Sequence, residues 1–472
     1  MSFSRLAPLV GVLCAALLLA CAPIQAQPTE EGPGETPSET KDAPPEVAPE
    51  RLRPLDGEAL RKAAFDPARL KARRQALLDG MPKDAIVVIA APRHTAGDLF
   101  SYRPSPDFLY LSGQTAPRLV MLLARDEDVL FAPPRDRRYE LWNGPRLAVG
   151  TELAKASGFG EVAPLSTRQE RVKQALARHK GAVYLLGLEP KDLGLPEKTQ
   201  ARSPADRIHF LRQVKDSHEL ALLQRACDIT AAALREAARG VQPGQFEYEV
   251  EGVIEYMFRR YGAQRPGFAS IVGSGPNSCV LHYSESTRRF GEGELLVLDV
   301  GAEFHGYTAD ITRTVPTSGK FSARQREIYE LVLRAQAAGI KACVPGNTVK
   351  DVHNAAKKVI ADAGYGQFFL HGTSHWLGLD VHDVGNYRRK LAPGMVLTVE
   401  PGIYLAKEAL GVRIEDDILV TAKGPLVLSA GVPRDPDAVE AMMAGKGVGQ
   451  LQLSPLPKRE AGKKPKKFFQ VR

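Results

Sequence analysis

Four acidic residues stand in segments that otherwise read as buried β-strand. Asp299 lies within LLVLDVG, Asp310 within YTADITRTV, Glu400 at the end of VLTVEPG, and Glu415 within VRIEDDILV. An unpaired carboxylate among apolar neighbours is very costly to bury. Each acid could be answered separately by an arginine or by capping a turn. Four together repel one another unless cations neutralise them, and two divalent metal ions would do so while leaving room for a reactive hydroxide.

The stretch HGTSHWLGLDVHDVG places His371, His375 and His382 within twelve residues, beside glycine turns. A lone histidine is usually structural, but three in this setting favour a site. His375 would be the sole nitrogen donor in an oxygen-rich set. That mixture suits Mn²⁺, Co²⁺ or Zn²⁺ better than Mg²⁺ or Ca²⁺. His282, in CVLHYSE, is a fourth candidate for the same cleft. Arg413, two residues before Glu415, reads as a cation that orients a ligand acid. Three other signals carry less. Gly273-Ser-Gly275 lacks the pattern of a dinucleotide site, Ser284 and Ser286 have no acid-oriented triad, and Cys279 beside His282 has apolar neighbours that favour burial.

The elements that must position these residues divide the chain. Apolar runs at 85–91, 120–124, 129–132 and 181–188 read as buried strands, and helical patterns at 67–78 and 167–178 lie between them. This alternation implies an α/β domain over 55–202. A helix starts near Asp216, with Glu219 as its capping-box partner and Gly240 at its end. Further helices fit 246–261, 323–343 and 348–363, and strands fit 295–300, 308–315, 395–400 and 414–420. The second half, 203–440, is therefore expected to be α+β, with long helices packed on one sheet.

At 472 residues the chain is long enough for a large core, and 44% hydrophobic with 25% charged residues is ordinary for a globular protein. The formal charge of +8 conceals two opposed tails. Residues 27–50 carry seven acids against one lysine, a balance of −6, and residues 457–472 carry seven bases against one acid, a balance of +6. The body is only mildly basic, and no aromatic-and-basic stripe suggests nucleic acid as a partner. Arg5 and the apolar run 6–20 read as a signal peptide. Leu18-Leu19-Ala20-Cys21 resembles a lipobox, with cleavage after Ala26 as the alternative. Either reading exports the protein to the periplasmic side of a bacterial membrane or beyond it, and the first anchors it there through lipid. Residues 21–54 then form a disordered tether, and 441–472 a disordered basic tail. Cys227, Cys279 and Cys343 cannot all pair, so buried free thiols are expected.

The order Asp299, Asp310, His375, Glu400, Glu415 resembles the pita-bread metallopeptidases, among them methionine aminopeptidase, prolidase and aminopeptidase P. The stretches IVGSGPNSCVLHY, LDVGAEFHGYTADITRTVP, HGTSHWLGLDVHDVG, LTVEPGIY and VRIEDDI are most similar to the aminopeptidase P family. YRPSPDFLYLSG and ELWNGPRL resemble its N-terminal domain. The resemblance implies a pita-bread catalytic domain behind an α/β N-terminal domain. It implies hydrolysis of the bond between an N-terminal residue and a following proline, by a hydroxide held between two metal ions. Asp299 would bind one metal through both oxygens, Asp310 and Glu415 would bridge the pair, and His375 with Glu400 would complete the second. Glu400 would also move the proton of the attacking water, His282 and His382 would meet the substrate carbonyl and oxyanion, and His371 would line the proline pocket. Trp376 or Tyr404 could supply its apolar wall, and both are equally plausible as core aromatics. Phe108 and Arg146 resemble positions that approach a neighbouring subunit in a homo-oligomer. A prolidase restricted to dipeptides and a non-catalytic binding protein on the same fold are the competing expectations.

Overall fold

The computed structural model of the protein describes residues 57–92, 102–146 and 148–448. The expected signal segment with Cys21, the acidic tether and the basic tail from residue 449 lie outside the described residues. The expected tail start at residue 441 falls inside a helix, Pro436–Met443. Asp435 caps that helix by accepting from Asp437 N and Ala438 N, and Val439, Met442 and Met443 bury its apolar face.

The apolar runs of the first part form the strands Ile86–Ala90, Val120–Ala124, Glu127–Ala132 and Val183–Leu186. Two edge strands, Glu161–Pro164 and Ala201–Arg202, complete one mixed six-stranded sheet. The run Ile86–Ile89 is apolar at every position because both faces are covered. Ile86 and Val88 pack with Leu122 and Phe131 on one face, and Val87 and Ile89 with Met121 and Leu123 on the other. The helix Pro67–Asp79 adds Leu70 and Leu77 to the second of these cores. Asp66 caps it, and Pro67 sits in its first turn, where a backbone N–H would have no helical partner.

The second part opens with the helix Ser217–Gly240. Asp216 and Glu219 form the expected capping box, and Leu222, Leu223, Cys227 and Leu234 are buried. Gly240 ends the helix without a left-handed turn; Val241 follows in extended conformation. The helices Ala323–Ala342 and Val349–Asp362 pack against each other, each started by a capping box.

One continuous sheet beneath these helices is not what forms. Leu295–Val300 runs between Ile271–Ser274 and Ile311–Pro316, Val396–Val399 pairs with Asp416–Thr421, and Gly402–Leu405 pairs with Leu410–Arg413. The interruptions fall at the acidic residues. The expected strand 308–315 breaks after Thr308, and there Asp310 N donates to Asp417 Oδ2 at 3.1 Å instead of joining a ladder. Glu400 follows the end of Val396–Val399, and Glu415 lies between Leu410–Arg413 and Asp416–Thr421. Only Asp299 sits inside a strand. Side chains on a regular strand alternate between faces, so acids from several strands converge on one point most readily where the ladders stop.

Candidate metal centre

Asp299, Asp310, His375, Glu400 and Glu415 line one cavity of about 580 Å³, together with His282, His371, His382 and Arg413. These nine residues therefore meet in one place. His375 is carried beside the strand Val396–Val399, accepting from Thr398 N through its carbonyl at 3.0 Å and donating its own N–H to Thr398 Oγ1 at 3.2 Å. Glu400 N donates to Thr373 O at 2.8 Å, and Glu415 N to Thr312 O at 3.1 Å. Backbone bonds thus place each of these three side chains.

Of the four acids only Asp299 has a cationic partner that fits the one-acid-one-arginine alternative. Arg413 Nη2 donates to Asp299 Oδ2 at 2.6 Å. Among the described residues no lysine or arginine forms an ion pair with Asp310, Glu400 or Glu415. Asp416, the neighbour of Glu415, shows what a structural acid looks like here. It is held by Arg313, Arg434, Ser429 and Gln336. The ring nitrogen His375 Nε2 lies 3.3 Å from Asp310 Oδ2 and 3.6 Å from Glu400 Oε1. Ligand atoms about 2.1 Å from a shared ion stand on the order of 3 Å apart, which is the spacing seen.

Whether the residues fit divalent metal is decided by their unmet oxygens. Asp299 Oδ1, Asp310 Oδ1 and Glu415 Oε1 are all buried with no hydrogen-bond partner. One ligand atom each from Asp310, His375 and Glu415 lies within 4.8 Å of the others. Buried polar atoms without partners are rare because each costs its full desolvation. Four carboxylates against one guanidinium leave an excess of negative charge that divalent cations would offset. The donor set fits.

The electrostatics agree. Burial, then the charges of Asp299, Asp417 and Glu400, holds the Asp310 carboxyl well above the usual range. Burial and then Asp310 do the same to Glu415. Glu400 keeps 18% of its side chain exposed in the cavity, yet its carboxyl is pushed up to about 7, with burial the main cause. Burial followed by the charge of Arg413 lowers His371 to about 4, and burial followed by His375 lowers His382. Both rings are therefore neutral at pH 7. His371 bonds to Tyr404 OH through Nε2 at 2.8 Å, and the His382 ring meets the His375 ring edge-on at 4.3 Å.

The expected apolar wall needs correction. Trp376 is fully buried in a core with Met395 and Leu397, so it does not wall the cavity. Tyr404 acts through its hydroxyl, which bonds both His371 and Arg413. The apolar lining comes instead from Phe268, Ile271, Leu281, Val381 and Tyr387, none of which the sequence distinguished from ordinary apolar residues. Phe108 is fully buried in the core on the helix Pro106–Ser112. Arg146 lies over the Tyr139 ring at 4.5 Å. Cys227 and Cys343 are buried as expected, but Cys279 is only half-buried. Asp417 was missed. It accepts from Asp310 N and from Cys227 Sγ, and so fixes the backbone of a ligand acid. Its only signal is membership of three consecutive acids before an apolar run.

Comparison with known proteins follows the same division of the chain. Residues 221–422 match the model of metallopeptidase family M24, and residues 70–184 match the aminopeptidase P N-terminal domain. The chain is 37% identical over 424 residues to the Xaa-Pro aminopeptidase of Escherichia coli, covering 79% of this chain and 96% of that one. A solved structure of aminopeptidase P from E. coli with the inhibitor Pro-Leu superposes with a TM-score of 0.74 at 35% identity, over 80% of this chain and 98% of that one. The Xaa-Pro dipeptidase of Pyrococcus furiosus is 40% identical over 223 residues, which is 46% of this chain and 64% of the dipeptidase.

Proposed function

Because this chain belongs to metallopeptidase family M24, with an aminopeptidase P N-terminal domain ahead of its catalytic part, we propose that it is an exported Xaa-Pro aminopeptidase. It removes the residue preceding a proline from the N-terminus of peptides. The observation that carries the chemistry is the trio of buried, unpartnered carboxylate oxygens on Asp299, Asp310 and Glu415 beside His375.

Asp299, Asp310, Glu415, His375 and Glu400 would hold the two ions, for which Mn²⁺ is our assignment. Such a centre supplies Lewis acidity toward the scissile carbonyl and a water of lowered pKa. The two oxygens of Glu400 face different ways. Oε1 is 3.6 Å from His375 Nε2, and Oε2 is 3.7 Å from His371 Nδ1. We assign Oε2 as the atom that takes a proton from the attacking water and delivers it to the proline nitrogen as the bond breaks. His282 and His382, at the mouth of the same cavity, donate to the carbonyl oxygen as it gains charge. Arg413 holds Asp299 in place through its 2.6 Å bond.

An X–Pro peptide bond has no N–H and a fixed φ. It therefore suits a cleft that recognises the ring by apolar contact and not by strand-like pairing. Phe268, Ile271 and Leu281 provide such a wall, and His371 lines the same cavity. Similarity to the aminopeptidase over nearly its whole length, against 64% of the dipeptidase, favours peptides longer than two residues. Assaying Xaa-Pro against Xaa-Pro-Xaa substrates tests this, with the tripeptide expected to be cleaved faster. Cleavage of dipeptides alone would return the prolidase reading.

Export and lipid anchorage form the second part of the proposal and rest on Arg5, the apolar run 6–20 and Cys21. Replacing Cys21 with alanine should release the protein from the membrane fraction. Unchanged membrane association would sink the anchor.

A further inference from the structure

Glu247 opens the helix Glu247–Arg260 and is fully buried, at 0% exposure. No lysine or arginine among the described residues forms an ion pair with it. Hydrogen bonds meet its charge instead. Oε1 accepts from Ser274 N at 2.8 Å, Ser274 Oγ at 2.6 Å and Asn277 Nδ2 at 3.1 Å. Oε2 accepts from Tyr283 OH at 2.8 Å and Arg288 N at 2.9 Å. So many donors on one carboxylate can stabilise a buried charge without a counter-ion.

The donors share a second property. Ser274 and Asn277 precede His282 in the chain, and Tyr283 and Arg288 follow it. Residues 280–288 form neither helix nor strand, so no ladder holds His282. Ser286, inside this segment, has a φ of 49°, a left-handed conformation that a serine keeps only where its surroundings impose it. The first turn of the Glu247 helix grips the same segment through Tyr248 N to Ser286 O at 2.8 Å and Glu247 N to Arg288 O at 3.0 Å. On the other side, Gly411 N donates to Ser278 Oγ at 2.8 Å, and Arg413 Nη2 reaches Leu281 O at 3.4 Å. The His282 segment is thus stretched between the carboxylate of Glu247 and the strand that carries Arg413.

We propose that Glu247 is a positioning residue for His282, holding the irregular segment 274–288 so that the imidazole stays aimed into the metal cavity. Glu247 does not touch the cavity, and it acts only through the backbone and side chains on either side of the histidine. The proposal rests on the reading of His282 as the group that meets the substrate carbonyl.

Glu247→Gln preserves the volume but turns an amide NH₂ toward one of the two sets of donors. It should lower kcat/KM on an Xaa-Pro-Xaa peptide by on the order of tenfold, because a small displacement of an oriented group is expensive in rate. Metal content should not change. In a His282→Ala background the same substitution should cost almost nothing more, since there is no imidazole left to aim. Amide hydrogen exchange should accelerate over 278–288 and stay unchanged over 311–316. Tyr283→Phe removes only one of the donors to Glu247, together with the longer bond of 3.3 Å that the hydroxyl accepts from Thr287 N, and should shift both readouts in the same direction by less, which covers the case in which Glu247→Gln does not fold. Losses that add fully to those of His282→Ala, or exchange over 278–288 that does not move, would overturn the proposal. Exchange needs no substrate. A wild-type chain inactive on proline peptides would remove the activity reading and leave the effect of Glu247 on this segment to be judged by exchange alone.

Discussion

His375→Ala is expected to lower kcat/KM by at least about 10³-fold and to leave the protein folded with fewer than two metal ions per chain. Removing the imidazole takes away the nitrogen that lies 3.3 Å from Asp310 Oδ2 and 3.6 Å from Glu400 Oε1. Loss of a metal-centre ligand strikes the transition state more than the ground state, so kcat should fall more than KM rises. Undiminished activity in this variant would refute the two-ion mechanism. The same centre should leave a signature in stability. Without metal, Asp310, Glu400 and Glu415 have carboxyl groups above their ordinary values, Glu400 at about 7 against 4.5. The folded form then binds these protons more tightly than the unfolded chain. That contribution to stability is complete below about pH 4.5 and is lost as the pH rises through about 7. Chelated wild-type protein should therefore have a lower Tm at pH 8 than at pH 5. Added Mn²⁺ should raise Tm more at pH 8, where the ligands are free of protons. His375→Ala should blunt that metal-dependent rise. A chelated protein equally stable at both pH values would mean that the acids do not repel as their geometry indicates.

Arg413→Met should be the most destabilising single change in the catalytic part, at about 3–5 kcal/mol, the range for breaking a buried ion pair by removing one partner. The guanidinium is buried and bonds Asp299 Oδ2, Tyr404 OH, Thr312 Oγ1 and Leu281 O. Its loss strands Asp299 in a site that already carries excess negative charge. It also frees the Tyr404 hydroxyl that holds His371 Nε2 at 2.8 Å. Arg413→Lys keeps the charge but cannot reproduce a planar fork with four acceptors, so it should recover part of the stability and little of the activity. Thermal unfolding of the three proteins at pH 7, with and without metal, checks the order. Equal Tm for wild type and Arg413→Met would show that Asp299 needs no cation.

Much of the metal centre was legible because acids in apolar runs are conspicuous. LLVLDVG and VLTVEPG cannot bury their carboxylates for nothing, and three histidines within twelve residues pointed to the donor that completes the set. The buried strands of the first domain were legible for the same reason, since Ile86–Ala90 and Val120–Ala124 are apolar on both faces. The breaks in the catalytic sheets were not. Nothing local says that Asp310 N leaves the ladder for Asp417, 107 residues away.

The sequence by itself determined the chemistry of the centre, namely four carboxylates and an imidazole whose burial demands cations, in an order similar to that of aminopeptidase P. It could do so because desolvation cost is written into the immediate neighbours of each acid. Tertiary structure alone decided which oxygens stay unpartnered, that Asp416 is neutralised while Glu415 is not, that Trp376 is core while Phe268 is wall, and that Glu247 steadies His282. Those outcomes depend on contacts such as Arg413 with Asp299, 114 residues apart. Pairings at that range impose no period and no composition on the chain, so they appear only when the chain is folded.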